Sequence, residues 1–109
     1  MNAQAQELVV VVEQPLTNEY GSSYGTRYLV FAEKYQDAVD WITANLDGED
    51  GKPYYEGRDV WNQVQVEIIS AYDEAGNLDR SPFWDLLALF ANKDIGPSVL
   101  KRIARLMPS

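Results

Sequence analysis

Two residue types are missing altogether: the chain has no cysteine and no histidine. Without cysteine there is no disulfide and no thiolate chemistry, which fits a reducing compartment. Without histidine the commonest general base and the commonest metal ligand are gone. Any catalysis would have to run on Asp, Glu, Tyr, Lys, Ser or Thr. No apolar run approaches the roughly 20 residues that span a bilayer. The opening MNAQAQELVVVVEQP has no basic leader, and its apolar run over residues 8–12 is too short for a secretory signal, so a cytoplasmic protein is expected. Phosphate-binding signatures are absent as well: neither GxxxxGK[ST] nor GxGxxG occurs.

Positive charge is scarce. Seventeen acids face nine bases, for a net charge of −8. The imbalance is uneven along the chain. Residues 1–80 hold fifteen acids and five bases, whereas residues 81–109 hold two acids and four bases. An acidic body repels phosphate backbones, so direct nucleic-acid binding is disfavoured. It suits solubility, or a protein partner with a basic surface.

What is present is enough for one domain spanning 1–109. The chain is 46% hydrophobic over 109 residues, long enough to bury a core without staples. Residues 8–13 (LVVVVE) form a continuous β-branched run that reads as a strand buried on both faces, hence central in a sheet. Residues 14–26 (QPLTNEYGSSYGT) read as a polar loop, and residues 27–33 (RYLVFAE) as a second strand, antiparallel to the first. Tyr35, Ala38, Val39, Ile42 and Leu46 then recur at helical spacing, with Asp37 and Asp40 off the stripe and Gly48 as a stop. Trp41 lies beside that stripe. Residues 60–72 (VWNQVQVEIISAY) alternate and are β-branched, which favours a strand over a helix. DEAGN supplies a turn, and Ser81-Pro82 supplies a helix start with Ser as the cap. FWDLLALFANK is apolar nearly all round. Gly96-Pro97 breaks it, and SVLKRIARLM follows as a short helix with Val99, Leu100, Ile103 and Leu106 on its apolar side. The expected fold is α+β: a small three-stranded sheet with helices packed on one face, in the order β-β-α-β-α-α.

This order has a consequence for the loops. The first helix returns along the second strand, so the second and third strands should run parallel through a right-handed crossover. The loops at 14–26 and 47–59 would then share one end of the sheet. Both are rich in tyrosine, with Gly and Ser in the first and Gly, Asp and Glu in the second, and tyrosine with Ser and Gly is the composition that antibody loops use for adaptable contact. The candidate partner-binding residues are therefore Tyr20, Tyr24, Asp47, Glu49, Asp50, Tyr54, Tyr55, Glu56 and Asp59.

The acids of DGEDGKPYYEGRD also invite a calcium reading. An EF-hand loop needs acids at positions 1, 3 and 5, Gly at 6 and Glu at 12. With Gly51 at position 6, Leu46 takes position 1 and the match fails. No metal, cofactor or catalytic residue is expected. Glu67, alone inside a strand, is the one acid a carboxylate enzyme could hold rigidly, and it is expected on the solvent side. Lys101, Arg102 and Arg105 are expected to pair with the protein's own acids or to support their helix C-terminus.

Three functions stay open. The first is a non-enzymatic interaction module, a small acidic inhibitor such as phages and mobile elements make. It would bind a basic surface of a nucleic-acid-handling protein. The second is a homo-oligomeric structural protein assembling through Phe83, Trp84, Leu87, Phe90 and the last helix. The third is a small enzyme built on carboxylate and tyrosine.

Overall fold

A computed structural model describes residues 7–49, 52–53, 63–90 and 96–108. Strand β1 (Val9–Thr17) pairs antiparallel with β2 (Ser23–Lys34), from Val9 opposite Ala32 to Thr17 opposite Ser23. Helix α1 (Tyr35–Asn45) follows without a break. A short hairpin comes next, β3 (Asp47–Glu49) with β4 (Lys52–Pro53). Strand β5 (Gln63–Tyr72) pairs parallel with β2, and α2 (Ser81–Phe90) and α3 (Pro97–Leu106) complete the chain. The α+β class, the expected element order and the parallel crossover pair all hold, with the small β3–β4 hairpin added within the expected loop.

The hairpin arms are longer than the sequence reading expects. Residues 14–17 and 23–26 are strand, not loop, because a five-residue turn closes the hairpin tightly. The Asn18 side-chain oxygen accepts from the backbone N–H of Tyr20 (2.9 Å) and of Ser22 (3.1 Å). The Gly21 N–H donates to the Asn18 carbonyl, and the Asn18 N–H donates to Ser22. Gly21 takes φ of 83°, a left-handed conformation that a side chain would strain. The same turn recurs at residues 73–77. There the Asp73 carboxylate accepts from the N–H of Ala75 and of Asn77, Gly76 donates to the Asp73 carbonyl, and Gly76 takes φ of 88°. Side-chain capping of the turn's own backbone is what Asn and Asp supply at such positions.

Two further expectations are corrected. The strand order is β1-β2-β5, so β2 is central and β1 lies at an edge. The helices also divide between the faces instead of sharing one. On one face Val10, Leu29, Phe31, Ile69 and Ala71 pack with Phe83 of α2 and with Ile103 and Leu106 of α3. On the other, Val30 and Ala32 pack with Ala38, Trp41 and Ile42 of α1, against Val9, Val11, Val66 and Ile68. With apolar residues of β1 contributing to both clusters, it carries an uninterrupted valine run although it is not central.

The helix ends follow local chemistry. The Asp79 carboxylate accepts the Ser81 N–H at 3.0 Å, so Ser81 is the first helical residue and not the cap, and Trp84 N–H closes the first turn on Arg80. Gly96 caps α3 with Pro97 at its first position, where a missing N–H costs nothing.

Candidate functional site

The expected partner-binding residues separate into three groups. Tyr20 stands at the tip of the β1–β2 hairpin and is 83% exposed. Tyr24 belongs to β2 and is half-buried, so it does not sit in a loop as expected. Asp47 and Glu49 belong to β3, which begins two residues after the end of α1. Asp50, Tyr54, Tyr55, Glu56 and Asp59 lie outside the described residues, so the pairing of the two tyrosine segments does too.

The apolar candidates for self-association are partly consumed. Phe83 is fully buried and meets Phe31 edge to face, with ring centroids 5.8 Å apart. It is a core residue and offers nothing to a second copy. Ile103 and Leu106 are buried in the same cluster, so the apolar side of α3 is also internal. Trp84 points outward at 54% exposure, while the side chains of Leu87 and Phe90 lie outside the description.

The helices on the two faces differ in charge. Helix α1 carries Asp37 and Asp40 and no base beyond its start. Helix α3 carries Lys101, Arg102 and Arg105 and no acid. The two helices cover opposite faces of the sheet. As expected for the α3 bases, one of them is held internally: Arg102 binds Glu7, just before β1, in a two-point contact that includes an Nε–Oε2 bond of 2.9 Å. The hydrogen bond from Arg102 holds the Glu7 carboxyl below its ordinary pKa, helped by the charges of Arg102 and Arg105 and opposed by slight burial. The same bond raises Arg102. Asp79 is also lowered, first by the Ser81 backbone N–H it accepts.

Two concavities flank α1. A groove of about 450 Å³ runs between the start of β1 and the helix stripe Asp37, Asp40, Trp41, Ala44 and Asn45, with Leu8 and Val9 on its other wall. Those five helical positions follow the i, i+3, i+4, i+7, i+8 pattern, one face of a helix. The groove thus has an apolar floor and an acidic rim. Both aspartates lie off the core stripe of α1, and with Trp41 they form a second stripe that the core periodicity alone does not reveal. A larger open cleft of about 690 Å³ lies where the parallel strands end, between Tyr35, Val39 and Tyr72, with Glu33, Lys34 and Glu74 around it.

Glu67 is exposed, as expected, and sits opposite Leu29 in the parallel ladder. Among the described residues no polar or charged residue is buried, and no group of three His, Cys, Asp or Glu side chains could hold a metal ion.

No protein-family model, no curated protein and no solved structure matches this chain.

Proposed function

We propose that this chain is a non-enzymatic interaction module that engages a basic surface of a partner protein through its α1 side. The observation that carries the reading is the charge difference between helices α1 and α3. Two acids and no base lie along α1, and the bases of α3 are kept on the opposite face. An acidic helix side with no base of its own gives a field that steers a basic partner and repels an acidic one. A nucleic-acid-handling protein, with its own basic groove, is the partner class this face suits, and a small inhibitor would use the face to compete with phosphate. Pull-down from the native cell tests the reading: the captured partner should carry a basic surface and be lost at high salt. Capture that is indifferent to salt contradicts it.

Self-association through α2 is the second reading, favoured by Trp84 alone at 54% exposure. Sedimentation decides it: a monomer at tens of micromolar that Trp84→Ala leaves unchanged removes it.

A further inference from the structure

We infer that the partner's contact segment is an extended basic strand that adds to the open edge of β1 and fills the groove beside α1; this rests on the proposed function and names the form of its partner. Among the described strands β1 pairs on one side only, with β2. Its orientation follows from Pro15. Proline has no N–H to give a ladder, so in an antiparallel pair it occupies a position whose backbone faces away from the neighbour. Backbone direction alternates along a strand, so Val9, Val11 and Glu13 share the outward direction of Pro15, while Val10 and Val12 bond to β2. The outer edge therefore offers donors and acceptors at three alternate residues and ends at Pro15, which can donate nothing.

The side chains beside that edge select the occupant. Val9 and Val11 belong to the α1 face, where α1 packs chiefly over β2 and β5 and leaves β1 as a shoulder. The groove of about 450 Å³ opens on this shoulder, with Leu8 63% exposed on one wall and Trp41 on the other. A strand laid along Val9, Val11 and Glu13 turns every second side chain to the α1 side, where those beside Leu8 and Val9 meet this groove. Asp37 and Asp40 rim it, and Glu13 is exposed on the strand. Long side chains with an apolar stem and a cationic tip match that floor and rim, so Lys or Arg at alternate positions is selected. A second copy of this chain is disfavoured as occupant because it would bring the same carboxylates together. Main-chain bonds supply the affinity and the alternate basic residues supply the specificity.

Amide hydrogen exchange by NMR on the full chain tests this, with an acetylated, amidated peptide alternating Lys and Val as the probe and one alternating Glu and Val as the control. In the free protein Val9, Val11 and Glu13 should exchange fast while Val10 and Val12 are protected. Saturating Lys/Val peptide should slow Val9 and Val11 by roughly tenfold or more, as formation of a ladder does, and the Glu/Val peptide should not. Asp37→Lys with Asp40→Lys should weaken the Lys/Val peptide by roughly tenfold, the scale of a few exposed charge contacts. Protection of Val9 and Val11 in the free protein, or no binding of the Lys/Val peptide up to millimolar concentration, overturns the strand-addition inference. Salt-sensitive binding with unchanged exchange at Val9 and Val11 also overturns it, and leaves the basic-partner reading standing.

Discussion

Gly25 occupies the point where the three long strands come together, opposite Leu16 of β1 and Gln63 of β5. A Cβ there would lie 2.1 Å from the Gln63 carbonyl oxygen and 2.8 Å from its carbon. Both are backbone atoms, so no side-chain rotation relieves the contact and β5 itself must shift. Gly25→Ala is expected to destabilise the fold by about 1–3 kcal/mol, the range for overpacking, read as a lower urea midpoint. An unchanged midpoint would contradict the register of the parallel pair. Glu7 makes a different case. Its folded pKa is depressed by Arg102, so its contribution is present above the ordinary glutamate pKa of about 4.3 and is lost as pH falls through the depressed value. The pair is well exposed, which limits that contribution to about 0–1 kcal/mol. Glu7→Gln should therefore cost a little stability at pH 7 and nothing in acid below both values. A deficit that persists there would show that the ion pair is not its origin.

Among elements, the two turns carry the most direct test. Each closes on one side-chain oxygen that accepts two backbone N–H groups. Asp73→Ala leaves the donors of Ala75 and Asn77 to water and should cost about 1 kcal/mol, while Asp73→Asn should restore most of the loss in thermal unfolding. If the two variants unfold alike, the carboxylate does not organise the turn. These turns also mark where the sequence was legible and where it was not. NEYGS and DEAGN share one pattern, Asx at the first position and Gly at the fourth. DEAGN is readable as a turn because β5 ends just before it. NEYGS is submerged in a run of polar residues, and the arms QPLT and SYGT lack the apolar alternation that announces a strand. The alternation is obscured there because Gln14, on the same side of the strand as the buried Leu16, is polar, and Pro15 reads as a strand breaker. The valine run misleads in the opposite sense: a strand with apolar neighbours on both faces reads the same at an edge as at the centre. Helix α1 was legible because its stripe is regular. Which face of the sheet each helix covers was not, since an amphipathic stripe states that a surface is buried but not against which side.

At the scale of the molecule, the uneven charge along the chain was visible in sequence, and the fold places an acidic helix and a basic helix on opposite sides of the sheet. The β2–α1–β5 crossover sets the acidic helix on one face, and the return of the chain through α2 and α3 sets the basic helix on the other. The candidate site was less legible. Tyr20 is exposed as a binding surface requires, but Tyr24 is drawn into β2, and the groove beside α1 needs β1 and α1 to be side by side before it exists. The most direct test of the account compares charge reversal on the two faces against one captured partner. Affinity would be measured at about 0.1 M and about 1 M salt, where the Debye length falls from about 10 to about 3 Å. Asp37→Lys with Asp40→Lys is expected to abolish most of the salt-sensitive affinity, while Lys101→Glu with Arg105→Glu leaves it intact or stronger. Loss of affinity on reversing α3 with none on reversing α1 would contradict the account.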